Sequence, residues 1–163
     1  MLYFFANLHL LFAAVGFVSL NNLNFMTHLQ LIPNANTWEG YKLIDLDGDK
    51  CHTLRGFYEA IAEAMDFPED FGFNIDSLDE MLSNLSWIEE VKIAVRVTNS
   101  KYFLSKERNE RKKLTLLDRL SATCEDWRWT EPAESKDDLE KKQLTFLFEE
   151  SDNIRELLKK TEE

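Results

Sequence analysis

Cysteine is nearly absent from this chain of 163 residues, and its two copies, Cys51 and Cys124, stand far apart. That spacing fits neither a disulfide framework nor a zinc motif. Both read as small buried thiols in a reducing compartment, which points to the cytoplasm. Histidine is limited to His9, His28 and His52. Cys51 and His52 are adjacent, which is poor geometry for joint chelation, so no metal site is expected. Glycine and proline are also scarce, at five and three residues. No glycine loop cradles a phosphate, and no nucleophile elbow is present. No cofactor and no catalytic residue are assigned. No Lys or Arg precedes Lys42. Basic residues overall are outnumbered, 19 against 30 acids, giving a formal net charge of −11 and a pI near 4.8. Nucleic-acid binding needs the opposite balance, because cations must displace the phosphate counterions. An acidic chain attracts basic proteins instead.

The length suits one domain with a real core. Aromatic residues are plentiful, with twelve Phe and four Trp to fill it. Leu2 to Leu20 is mostly apolar and approaches the length of a membrane span. It lacks the basic flank of a signal peptide or an oriented span, and no cleavage site is evident. Three readings stand: a membrane or signal segment, an extra helix, or a translation start placed too far upstream, with Met26 as the alternative. The third is preferred. Asn21 to Glu39 reads as a linker, interrupted by Pro33.

Tyr41 to Leu46 reads as a strand ending at an Asp47-Gly48 turn. Asp45 to Asp49 superficially matches a calcium loop. Its glycine is misplaced, and Gly56 stands where the final glutamate belongs, so a turn is expected. Thr53 caps a helix from Leu54 to about Met65, with Leu54, Phe57, Tyr58, Ile61 and Met65 in its apolar stripe. Pro68 follows its end. Asn74 caps a second helix, roughly Ile75 to Leu85. Val91 to Val97 alternates as a strand. A helix from about Lys112 to Trp127 turns Leu116, Leu117, Leu120, Cys124 and Trp127 inward. Arg128 to Lys142 reads as an insertion broken at Pro132. Leu144 to Phe148 is a third strand. Ser151-Asp152 caps a last helix bearing Ile154, Leu157 and Leu158. Strands separated by helices imply parallel pairing. No internal repeat or low-complexity tract occurs.

The segment Pro68 to Leu82 carries the most information. Its helix places Asp76, Asp79 and Glu80 on a solvent face and Ile75, Leu78 and Leu82 on the other. The loop before it adds Glu69 and Asp70. Acids in a first helical turn also offset the helix dipole, which by itself is ordinary. A dense carboxylate patch nonetheless suits a partner whose Lys and Arg grip phosphates. Exposed on a convex helix, such carboxylates lack the pocket that acid–base catalysis needs, so an enzyme is rejected.

The pattern Pro-Glu-x-aromatic-Gly-x-Asn-x-Asp-small-Leu-x-acid-x-Leu runs without a gap from Pro68 to Leu82. This segment closely resembles the barstar family of ribonuclease inhibitors. The resemblance is strong over Tyr41 to Trp87, looser over Val91 to Glu150 and absent before Trp38. It implies an α/β fold with a three-stranded parallel sheet packed with helices. The expected layout is an N-terminal segment and linker at 1–37, a barstar-like domain at 38–150 and a C-terminal helical extension at 151–163. The resemblance also implies a monomeric, non-catalytic immunity protein that occludes a basic ribonuclease. Its implied contact residues are Glu69, Asp70, Gly72, Phe73, Asn74, Asp76, Ser77, Asp79 and Glu80, with Asp76 and Glu80 central. Gly72 permits a sharp turn and a close approach of the partner. Phe71 reads as a core anchor, Asn74 as a cap, and Trp87 as core. The family's best-known member has aromatics at the positions of Asp70 and Asp79, and an aspartate at that of Glu80. Lost aromatics remove favoured interface anchors. The alternative is therefore an acidic interaction module for a different basic partner, or for a deoxyribonuclease.

Overall fold

The computed structural model describes residues 29–32, 40–129 and 142–161. The apolar N-terminal segment, most of the linker, and most of the insertion broken at Pro132 lie outside these residues. Four strands, β1 (Leu29–Ile32), β2 (Lys42–Asp47), β3 (Lys92–Thr98) and β4 (Gln143–Glu149), form one sheet in the order β1-β4-β3-β2. Every pair is parallel. The helices are α1 (Leu54–Ala64), α2 (Ile75–Asn84), α3 (Glu110–Trp129) and α4 (Asp152–Thr161), with a 3-10 turn at Ser100–Tyr102.

The expected three-stranded sheet is corrected to four strands. The extra strand, β1, arises within the stretch read as linker. Its four residues are too few for a legible alternation, and Pro33 follows directly. Pairing with β4 supplies what local sequence does not. Leu29 lies opposite Phe146 and Ile32 opposite Glu149. Both apolar residues are buried.

The sheet's two faces follow the strand period of two. Ile44 and Leu46 of β2, Ile93, Val95 and Val97 of β3, and Leu144, Phe146 and Phe148 of β4 enter the main core with the helices. Ile32, Ala94 and Leu147 form a small cluster on the other face. There Arg96 makes a two-pronged ion pair with Asp45 across the β2–β3 pair. Thr53 caps α1 by accepting the Gly56 amide at 3.2 Å, and Phe57, Tyr58, Ile61 and Met65 are buried as the stripe requires. On α3, Leu116, Leu117, Leu120, Cys124 and Trp127 all face inward. The segment expected as a C-terminal extension, α4, buries Ile154, Leu157 and Leu158 in the same core. The Asn153 amide donates to the carbonyls of Ser100 and Phe103, fixing the start of α4 to the segment after β3.

Leu29 tests β1. Its replacement by alanine removes a buried isobutyl group and is expected to cost at least about 2 kcal/mol. A urea midpoint unchanged within error would show that β1 contributes nothing to the fold.

Candidate functional site

The route from α1 to α2 is set by aromatic packing and one small hydrogen-bonded knot. Phe71 is buried and packs edge-on against Phe67 and Tyr58, at 5.0 and 6.4 Å between ring centres. It anchors the loop, as expected. Trp87 packs edge-on against Phe67 and donates its indole N–H to the Met65 carbonyl at 2.9 Å. It is half-buried and holds the far end of the loop, in line with a packing role.

Asn74 caps α2 by accepting the Ser77 amide at 2.9 Å, while its own amide group donates to the Gly72 carbonyl at 3.2 Å. The Gly72 amide donates to the Ser77 hydroxyl at 2.8 Å. A Cβ on Gly72 would stand 2.8 Å from the Asn74 amide nitrogen. A side chain at position 72 would therefore displace the Asn74 amide from its bond to the Gly72 carbonyl. The left-handed backbone of the loop falls instead on Phe73, at φ +52°. A non-glycine aromatic there is strained. Phe73 is held by Phe71, 4.9 Å away between ring centres, and by the Arg55 guanidinium, 4.6 Å over its ring. It remains 38% exposed, one of few large apolar side chains so placed.

Among the acids, Glu69, Asp70, Asp76 and Glu80 are exposed. None of these four carboxylates has an ion pair or side-chain hydrogen bond among the described residues. Asp79 departs from the shared solvent face. It turns to α3, pairing with Arg119 at 3.4 Å and standing 3.2 Å from the Thr123 hydroxyl, whose single proton it shares with the Arg119 carbonyl at 2.9 Å. Arg119 and Thr123 are one turn apart, which lets both meet one carboxylate. Neither residue was singled out from sequence, because the contact spans some forty positions. Two more groups escaped notice. Tyr58 was read only as core, and Glu107 was not singled out. The Glu107 carboxylate accepts the Asn109 and Leu54 amides at 3.2 and 3.3 Å. These backbone bonds, Asn109 first, hold its pKa below the ordinary value.

Other chemistry is less well supplied. His52 lies between the Asp49 carboxylate at 3.3 Å and the Ser105 hydroxyl at 2.8 Å. That hydroxyl donates to the Tyr102 carbonyl at 2.7 Å, which commits its proton to the backbone. Asp47 accepts from the Asn99 amide group and the Asp49 backbone, both at 3.0 Å. A Cβ at Gly48 would strike the carbonyls of Thr98 and Asn99 at 2.6 Å. The segment is a strand-end turn. Among the described residues no group of three His, Cys, Asp or Glu could hold a metal ion, and no helix is long and apolar enough to cross a membrane.

The family model for Barstar (barnase inhibitor) matches residues 41–149. This chain belongs to the Barstar family. The family is one of non-catalytic inhibitors, and membership marks the chain as a barnase-inhibitor-like protein-binding module. A search of curated proteins finds no match. The matched range takes in the whole Pro68–Leu82 motif, whereas β1 and α4 fall outside it.

Two consequences are measurable. Asp79→Ala removes the Arg119 ion pair and the Thr123 contact between α2 and α3 and is expected to cost about 1 kcal/mol, whereas Glu80→Ala should change stability by less than about 0.5 kcal/mol. Equal losses in thermal denaturation would contradict this division. Burial pushes the thiols of Cys51 and Cys124 up to about 12. At pH 8 the native protein should therefore react with a thiol reagent only as fast as it opens, and rapid labelling of folded protein would contradict the burial.

Proposed function

We propose that this protein is a stoichiometric inhibitor of a basic ribonuclease, acting in the cytoplasm as a self-protection or immunity protein. The supporting observation is the set of uncommitted carboxylates, Asp76 and Glu80 above all, on a family motif that matches without a gap. Their oxygens have free lone pairs and stand on a capped helix. They replace substrate phosphates on the Arg and Lys groups of the nuclease cleft. Glu69 and Asp70 extend the negative surface over the loop, and Phe73 offers an exposed ring beside it. Gly72, Asn74 and Ser77 bond to one another and fix the approach of loop to helix. The net charge favours fast encounter with a cationic partner. Inhibition is by occlusion, with one protomer per enzyme.

A second reading is favoured by one specific observation. Asp79, where the family's best-known member has an aromatic, is paired to α3 and offers no ring to a partner. An acidic module for another basic protein, including a deoxyribonuclease, accommodates that difference. Capture from the native cell separates the two by the identity of the basic protein retained.

Charge reversal provides the direct test. Asp76→Lys with Glu80→Lys should weaken inhibition of the cognate ribonuclease at least about a hundredfold, because each lost charged hydrogen bond is replaced by repulsion. The fold should persist by circular dichroism. Glu89→Lys with Glu125→Lys, the same charge change away from the motif, should mainly slow association. Equal loss in both pairs would reduce binding to diffuse attraction and remove the basis of the motif-centred mechanism.

A further inference from the structure

Between Lys101 and Lys113 stand six basic residues and two acids, against the trend of a chain whose net charge is −11. Lys106, Arg108, Arg111 and Lys112 are exposed. None of their side chains makes an ion pair or a hydrogen bond among the described residues. The charge of Lys112 acts on Glu107 from a distance, while the Glu107 oxygens are engaged with backbone amides. The second acid, Glu110, is paired with Lys113 and Lys160, both at 2.9 Å. Four neighbouring cations are thus left uncommitted.

The fold makes no use of these cations. The segment is fixed by its backbone and by uncharged or acidic groups. The Leu104 and Lys106 amides donate to the carbonyls of Cys51 and His52 at 2.7 and 2.9 Å. Glu107 accepts the Leu54 amide that opens α1. Asn109 caps α3 by accepting the Lys112 amide at 3.0 Å. Arg111, Lys112 and Lys113 fall in the first turn of α3, at the positive end of the helix dipole, where a cation is unfavourable. Of these three only Lys113 has a partner, Glu110. Residues that break a local rule with no compensating contact point to a role outside the fold.

The patch stands at the same end of the molecule as the acidic surface. Asp79 meets Arg119, and further along both helices the Leu82 carbonyl accepts from the Trp127 indole at 2.7 Å. The two helices therefore run in the same sense and begin at the same end. Glu110, which opens α3, lies about 13 Å before Arg119, and Ile75, which opens α2, about 6 Å before Asp79. We propose that Lys106, Arg108, Arg111 and Lys112 receive carboxylates of the same protein partner whose cations meet Asp76 and Glu80. The partner then displays an acidic strip beside its basic cleft, and the interface carries both signs. That this partner is a ribonuclease rests on the function proposed above; the two-signed surface does not. A nucleic-acid strand brings only negative charge, which the unpaired Glu69, Asp70, Asp76 and Glu80 repel. A uniformly cationic protein, drawn in by net charge, is repelled by the patch.

The test is Lys106→Glu with Arg111→Glu in the full chain. The double change makes the chain more acidic, so attraction by net charge alone calls for tighter inhibition of a ribonuclease captured from the native cell. The proposal calls for inhibition at least about tenfold weaker. Glutamate in the first turn of α3 suits the helix dipole, so the thermal midpoint should not fall. Lys92→Glu with Lys159→Glu, the same charge change at the opposite end of the sheet, should leave inhibition no weaker. The patch is also probed directly with hexaglutamate at low salt, followed by the backbone amide resonances of Lys106, Arg108 and Arg111. A saturable shift is expected, lost in the double variant, with hexauridylate binding more weakly. No saturable shift, hexauridylate binding at least as tightly, or equal loss of inhibition in the control pair would overturn the proposal. If a ribonuclease is inhibited equally by wild type and by the double variant, the patch fails and the inhibitor reading stands. If hexaglutamate behaves as expected and no ribonuclease is bound, the patch stands and the ribonuclease reading fails.

Discussion

Parallel pairing of the strands is the constraint on which the rest of this structure depends. Adjacent parallel strands cannot be joined by a tight turn, so each must be followed by a return crossover. The three longer strands, β2, β3 and β4, are each followed by a helix. The starts of α1, α3 and α4 consequently gather at the carboxyl ends of the strands. The contacts there bear this out. Glu107, just before α3, reaches the Leu54 amide that opens α1. Asn153, at the start of α4, reaches back to Ser100 and Phe103. Helix N-termini carry unsatisfied amides and partial positive charge. Ionised carboxylates are therefore tolerated at this end of the sheet, and Glu107 shows the effect in its lowered pKa.

The candidate site adds a local device to this frame. After α1 the chain passes through a loop and begins α2 at Ile75. Burial of Phe71 fixes one point of that path. The reciprocal bonds among Gly72, Asn74 and Ser77 fix the next, and the Asn74 side-chain oxygen satisfies the Ser77 amide in the first turn of α2. Phe73 lies between these two fixed points and takes up the left-handed backbone that they impose. A lone residue in that conformation costs on the order of 1 kcal/mol. Contacts with Phe71 and Arg55 offset it, and the result is an aromatic ring kept at the surface beside the carboxylates. The strain follows from geometry on either side of Phe73, and no flexible glycine relieves it.

What the sequence made legible was local, and what it concealed was long-range. The caps at Thr53 and Asn74, the buried faces of α1 and α3, the alternation in β3 and the anchoring by Phe71 each depend on a period or a neighbouring residue. β1 was missed because four residues before a proline carry too little pattern, and its stability comes from an edge more than a hundred positions away. The departure of Asp79 from the solvent face was equally hidden. Helical spacing alone groups it with Asp76 and Glu80, and only the approach of α3 distinguishes them. The closeness of Gly72 to the Asn74 amide, likewise, is set by the folded loop and carries no sequence signal.

These distinctions bear on how an acidic protein can recognise one partner among many basic ones. A net charge of −11 acts at long range and attracts any cationic surface. It does not separate partners, because salt screens it and many arrangements of charge give the same total. Selectivity requires carboxylates whose positions are fixed and whose lone pairs are not already in use. Asp79 meets the first condition and fails the second, since Arg119 and Thr123 hold it. Asp76 and Glu80 meet both, on a helix whose start is fixed by the Asn74 cap. In the proposed inhibitor, the partner supplies donors at matching positions, and a displaced donor leaves a desolvated carboxylate unpaired. That penalty, rather than the total charge, is what discriminates between one basic cleft and another.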